Sequence, residues 1–308
     1  MNKKIAVIGG GNVGATTAMY LAEANFADVV LVDIIEGMPM GKGLDLTQAG
    51  PVRGYNARVT GSNDYKDIKG ADVVIMTAGL PRKPGMSRED LLNMNAKIVG
   101  TAATNIKKYA PKCTVIVVSN PLDLMTFHMQ NVTGFPKNRV LGQAGVLDSI
   151  RFRAFISMEL DVAVTDTQAM VLGGHGDTMV PLPRYTTVAG IPISELISKD
   201  RIKEICKRTA GGGGEIVKLL KTGSAYYAPA AASCDMCCAI INDQKKLLPA
   251  SAYLTGQYGI KDIYIGVPVI LGEGGVEKIL ELKLSKGELA SLQGSAATYK
   301  EHLKVMGY

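Results

Sequence analysis

Short runs dominated by apolar residues alternate with amphipathic stretches over the first 145 residues. The runs occupy residues 5–8, 28–32, 71–76, 113–118 and 140–142, with helical patterns at 15–26 and 91–109 among them. A strand that is apolar at nearly every position must be covered on both faces, and interleaved helices supply that cover. The pattern predicts a parallel, doubly wound α/β sheet for residues 1–145. Beyond residue 145 it changes. Strand-like pieces at 162–165, 170–172 and 263–271 are flanked by long helical stretches at 203–221, 228–243 and 286–306, which predicts a second, α+β domain over residues 146–308. Gly211 to Gly214 interrupt the first of these stretches. Four consecutive glycines cost a helix about 3 to 4 kcal/mol relative to alanine, so a kink or break is expected there.

The first apolar run feeds directly into Gly9-Gly10-Gly11-Asn12-Val13-Gly14. A G-x-G-x-x-G pattern at a strand-to-helix turn is the dinucleotide fingerprint of a Rossmann fold. Gly9 permits the tight turn, Gly11 lets the backbone approach a pyrophosphate, and Gly14 lets the helix pack closely. Asp33 ends the second run, 19 residues beyond Gly14. A carboxylate there accepts hydrogen bonds from ribose hydroxyls and repels a 2′-phosphate, which favours NAD over NADP. The segment from Gly37 to Gly43 is not a triphosphate loop, because its glycines are four apart and no Ser or Thr follows Lys42; it reads as the start of a helix. Thr77-Ala78-Gly79 and Ser119-Asn120-Pro121 follow two of the strands and suit the crevice at their C-terminal ends.

Composition narrows the class. With 47% hydrophobic and 20% charged residues, the 308-residue chain is an ordered globular protein. A net charge of +6 carried by dispersed lysines and arginines favours small anionic ligands over nucleic acid. Five cysteines, an odd number, favour a reducing compartment over a disulfide framework. Cys234, Cys237 and Cys238 lack a second CxxC pair or a nearby histidine and read as buried helix cysteines, so no metal site is expected. The four apolar residues after Lys4 are too few for a signal sequence, and no run approaches a membrane span, so a cytoplasmic location is expected.

Three places carry candidate chemistry. His175, one of three histidines, lies in Gly-Gly-His-Gly-Asp and is the candidate base near neutral pH, although the motif by itself also fits a satisfied loop histidine. Asp148 and Arg151 are three apart on one predicted helical face. They can serve one cleft, the acid fixing the His175 tautomer and the arginine gripping a carboxylate, or they can form a simple surface ion pair. Residues 79–90, GLPRKPGMSRED, place Arg82 and Arg88 on a loop that is either a ligand-closing lid or a solvated basic segment, with a helix starting just after Ser87.

Together GGGNVG, the acid of VLVDI, AGLPRKPGMSRED, VVSNPLD, VLDSIRFR and GGHGD resemble, in order and over nearly the full chain, the lactate/malate dehydrogenase family. The resemblance is nearest to its malate-specific members built on the lactate-dehydrogenase pattern. It implies NAD-dependent oxidation of (S)-malate, with His175 as proton acceptor, Asp148 orienting it, Arg151 clamping the C1 carboxylate and Arg88 polarising the carbonyl. It also implies that Asn120 contacts substrate and cofactor, and that Asn95 and the segment Val118, Ser119, Asn120 line the NAD site. Arg82 stands where lactate-specific members carry glutamine and would meet the second carboxylate of a small dicarboxylate. Ala225, in place of a threonine, leaves room for it. A homo-oligomer, tetramer before dimer, and a place in the tricarboxylic acid cycle are implied as well. Rival readings are a lactate dehydrogenase, which Arg82 opposes, an NAD-dependent glycosidase, which would need a metal, and a non-catalytic NAD-sensing module.

Overall fold

A single sheet runs through the protein. The computed structural model describes residues 3–80 and 88–308, with Arg88 as backbone only, so the expectations for Arg82, Ser87 and the Arg88 side chain lie outside the described residues. In chain order the first half comprises β1 (Lys4–Ile8), α1 (Asn12–Ala24), β2 (Asp28–Val32), α2 (Met38–Arg53), β3 (Val59–Ser62), β4 (Val73–Met76), α3 (Arg88–Tyr109), β5 (Thr114–Val117), α4 (Leu122–Thr133) and β6 (Val140–Gly142). All six strands pair in parallel, in the order β3-β2-β1-β4-β5-β6. The chain leaves β1 towards one edge and returns at β4 towards the other. A crevice therefore opens between the C-terminal ends of β1 and β4, where such sheets bind ligands.

The uninterrupted apolar runs are explained by burial. Ile5, Val7, Val73, Ile75, Val115 and Ile116 are all fully buried, each contributing about 1.5 to 3 kcal/mol of hydrophobic stabilisation relative to exposure. α1 packs against the helix Tyr227–Ile241 of the second half, and α3 against α4.

The second half adds α5 (Gly145–Leu160), β7 (Thr167–Gln168), β8 (Val171–Gly173), β9 (Met179–Pro181), β10 (Thr187–Val188), β11 (Ile191–Pro192), α6 (Ile193–Leu196), α7 (Lys199–Leu220), α8 (Tyr227–Ile241), β12 (Lys246–Thr255), β13 (Lys261–Gly272), β14 (Gly275–Ile279) and α9 (Lys286–Val305). Its principal strands extend the first sheet. β12 joins antiparallel to β6 at Ser251 and Gly142, and β13, β8 and β9 follow, while β7, β10 and β11 form a small separate sheet. The mixed composition expected of the second half is present, built on the edge of the first.

Two expectations are corrected. Residues 162–165 are not a strand: Asp161 takes a left-handed conformation (φ 53°) that ends α5, a 3-10 turn follows at Val164–Asp166, and Val162 and Val164 remain substantially exposed. Nor is the glycine run a break. α7 continues through it, with Ile202, Ile205, Thr209 and Gly212 forming its buried face against α5. Arg208 and Glu215 span the run in a bidentate pair at 3.0 and 2.7 Å, and the Arg208 guanidinium lies 4.1 Å from the Phe155 ring on α5. Tertiary packing thus outweighs the low helix propensity of glycine.

Candidate active site

The glycine loop takes its shape from what each position touches. Gly9 has φ +103°, and a Cβ there would stand 2.6 Å from the Ala78 amide nitrogen, so the turn requires glycine. A Cβ at Gly14 would overlap the Gly9 carbonyl oxygen and lie 2.7 Å from Thr77 Oγ1. Gly11 differs: a Cβ there would meet nothing within 4 Å, and no side chain caps the start of α1. Open space thus faces the first-turn amides of Asn12 and Val13, as anion binding at a helix N-terminus requires. The cradle fits a dinucleotide pyrophosphate.

Asp33 stands at the end of β2 beside this loop. Its Oδ2 accepts the Gly10 N–H at 2.6 Å and its Oδ1 the Ile35 N–H at 2.9 Å. From α2, Lys42 Nζ donates to the Gly10 carbonyl at 2.6 Å, so the Gly10 peptide is held on both sides. Sequence reasoning missed this role of Lys42. Its only sequence signal was a lysine between glycines, and its partner lies 32 positions away.

Across the crevice, Asn95 joins the two loops that follow β4 and β5. It is 1% exposed, and its Oδ1 accepts from Leu80 N at 2.8 Å while its Nδ2 donates to the carbonyls of Leu80 (3.2 Å) and Asn120 (2.8 Å). Its amide is therefore committed to the loops themselves. Ser119 is also buried, its hydroxyl donating to the Ala78 carbonyl at 2.6 Å, whereas Val118 is half-buried and Asn120 exposed at the crevice.

The histidine loop closes the far end. His175 Nδ1 lies 3.0 Å from Asp148 Oδ2, and Arg151 Nη1 lies 3.4 Å from the other oxygen of the same carboxylate. Asp148, on the first turn of α5, is 2% exposed and bridges the two. With Asp148 accepting from Nδ1–H, Nε2 of the neutral ring is the free acceptor. Burial disfavours the charged imidazole, but the attraction and hydrogen bond of Asp148, aided by Asp123, outweigh it and raise the His175 pKa above its usual value. The other histidines are elsewhere. His128 is spent on Tyr308 and the Ala96 carbonyl, and His302 is exposed on α9. Cys234, Cys237 and Cys238 lie in α8, but only Cys237 is buried as expected; Cys234 and Cys238 are half-buried.

The main chain of the loop is fastened by three contacts from two further helices. Asp123 on α4 accepts the His175 N–H at 2.9 Å, Tyr299 on α9 donates to the His175 carbonyl at 2.9 Å, and Ser295 Oγ accepts the Gly174 N–H at 2.9 Å. None of these was singled out from sequence. All are contacts between residues 52 to 124 positions apart. The site so assembled brings together a histidine–aspartate pair, the Arg151 guanidinium and a glycine loop shaped for a dinucleotide.

Residues 3–142 match the NAD binding domain of lactate/malate dehydrogenases, and residues 145–306 match the α/β C-terminal domain of the same proteins. The chain belongs to the lactate/malate dehydrogenase family. Within that family, a malate dehydrogenase of Roseiflexus sp. (strain RS-1) is 57% identical over 96% of each chain, and one of Thermomicrobium roseum is 56% identical over 99% of each. Among solved structures, the malate dehydrogenase of Salinibacter ruber superposes with a TM-score of 0.95 at 52% identity, covering 99% of this chain and 97% of its own. A Cryptosporidium parvum lactate dehydrogenase, solved with lactic acid and the dinucleotide cofactor, gives 0.96 at 46% identity, covering 100% and 98%. Family members named for different substrates thus share one backbone.

Proposed function

We propose that this chain is an NAD-dependent (S)-malate dehydrogenase that interconverts malate and oxaloacetate, with His175 as its acid/base. The observation that carries the reading is the 3.0 Å contact between His175 Nδ1 and the buried Asp148 carboxylate, which leaves Nε2 for a substrate hydroxyl. Bound NAD supplies the hydride acceptor at its nicotinamide C4 for the hydrogen leaving C2. His175 Nε2 takes the hydroxyl proton in that direction and returns it in reduction. Asp148 fixes the ring tautomer and stabilises the imidazolium. Arg151, 11% exposed at its side chain, grips the C1 carboxylate.

The remaining roles follow the family pattern. Gly9, Gly11, Asn12, Val13, Gly14 and Asp33 hold the adenosine and pyrophosphate, and Val118, Ser119 and Asn120 line the nicotinamide end, with Asn95 fixing their loop. Asn120 also faces substrate. Arg88 polarises the carbonyl and Arg82 pairs with the second carboxylate. Residues 1–145 serve as the NAD-binding unit and residues 146–308 as the catalytic one. A cytoplasmic homo-oligomer, four copies before two, acting in the tricarboxylic acid cycle completes the reading. The exposed apolar side chains of Met40, Leu44 and Val52 along α2 support the association of copies.

The test is kcat/KM for oxaloacetate and pyruvate with NADH, on the wild type and on Arg82→Gln. A cation that oxaloacetate pairs and pyruvate does not discriminates by roughly several orders of magnitude. A large oxaloacetate preference that collapses in the variant is expected. Equal wild-type rates would contradict the role of Arg82, and turnover of neither substrate would contradict the activity.

A further inference from the structure

Asp123 is a buried carboxylate that the mechanism above leaves unused. It sits in the first turn of α4, three residues after Asn120, and is 2% exposed. Its Oδ2 accepts the His175 N–H at 2.9 Å and its Oδ1 the Ser251 hydroxyl at 2.6 Å. Among the described residues no lysine or arginine forms an ion pair with it. A buried, uncompensated carboxylate is costly, and a fold needing only a hydrogen-bond acceptor there could use a neutral amide.

The placement suggests why an acid stands there. α4 begins directly after the segment assigned to the nicotinamide end of the crevice, whereas His175 belongs to the second half. Asp123 is thus a strut between the cofactor loop and the histidine. The charged and titratable groups around the imidazole come from each neighbouring element. α5 supplies Asp148 and Arg151 and α4 supplies Asp123, while Tyr299 of α9 holds the His175 carbonyl with Asp177 of the histidine's own loop near its hydroxyl. Arg151 opposes a positive ring; Asp148 and Asp123 favour it.

We propose that Asp123 is a positioning residue for proton transfer, fixing the His175 peptide relative to the cofactor loop and joining Asp148 in supporting the imidazolium. This rests on His175 being the acid/base. Burial pushes the Asp123 carboxyl up to about 6, while the Ser251 and His175 hydrogen bonds hold it down. Its negative charge is therefore sensitive to the loss of either donor.

Asp123→Asn isolates the charge. The Asn Oδ1 still accepts from His175 N, and its Nδ2 donates to Ser251 Oγ, which can rotate to accept. The experiment is the pH profile of kcat/KM for malate oxidation, with the KM for NAD and the Tm recorded beside it, on full-length wild type, Asp123→Asn, Ser251→Ala and His175→Asn. Losing an anion favours the neutral ring, so the acidic limb in Asp123→Asn moves to lower pH by about one unit. kcat falls about tenfold, and the KM for NAD stays within about twofold. Ser251→Ala, which deprives the carboxylate of a donor and raises its pKa, moves the limb the same way by less. It carries the test if the asparagine variant does not fold. An unmoved limb in the folded variants, whatever their Tm, would reduce Asp123 to a structural residue and overturn the proposal. If His175→Asn retains the wild-type rate, the acid/base reading itself fails; if it is inactive while the limb of Asp123→Asn stays put, only the strut fails.

Discussion

Gly212 of α7 lies against the aliphatic stem of Arg151 on α5. A methyl group at position 212 would overlap Arg151 Cδ and stand 2.9 Å from its Nε, whereas at Gly211 and Gly214 it would meet nothing within 4 Å. The glycine run is therefore two things at once, a close seat for Arg151, to which we assign the substrate carboxylate, and a stretch of intrinsically weak helix.

Those two properties separate by substitution. Gly212→Ala should displace Arg151 and raise the KM for oxaloacetate about tenfold or more, with NADH affinity unchanged. Gly214→Ala, on the exposed side of the same helix, should instead stabilise the protein by about 1 kcal/mol and leave KM alone. Steady-state kinetics and thermal unfolding of the two variants check both halves.

The glycine loop offers a second separation. Gly11→Ala meets no atom of the protein and has an ordinary φ of −66°. It should fold with wild-type Tm yet bind NADH at least about tenfold more weakly, because the methyl enters the space where the pyrophosphate approaches. Gly14→Ala collides with the Gly9 carbonyl and should lose several kcal/mol of stability before any ligand is added. Calorimetric titration and unfolding curves distinguish them.

Lys42→Met keeps the aliphatic stem but removes the hydrogen bond to Gly10. We expect the KM for NAD to rise several-fold with little change in the KM for malate at saturating NAD. Equal rises in both would point to a global disturbance, not a loosened glycine loop.

Much of the fold was legible because it is local. The runs at 5–8, 71–76 and 113–118 became β1, β4 and β5, and the spacing from Gly14 to Asp33 placed the acid beside the glycine loop. Asp148, Arg151 and His175 were legible as chemistry because their residue types and spacing are unusual, and the structure brings them together. What stayed illegible depends on long-range contacts. The partners of Asp123 and Ser251 are set by packing between the two halves, and those of Lys42 and Tyr299 by packing between distant elements within one half. The continuity of α7 depends on its packing against α5 and the Arg208–Glu215 pair, so propensity alone pointed the wrong way. Residues 162–165 misled for a related reason: two valines in alternation resemble a strand, but here they are exposed and no neighbour pairs with them.

The central claim is that His175 and Asp148 form the acid/base pair, and it is tested most directly by the pH dependence of malate oxidation in wild type and Asp148→Asn. The neutral imidazole is the active form in this direction, so activity is lost as pH falls through the His175 pKa, which Asp148 helps hold above the usual value. Replacing the carboxylate should move that limb to lower pH and reduce kcat by roughly two orders of magnitude or more. A limb that stays in place, with kcat within a few-fold of wild type, would contradict the pair.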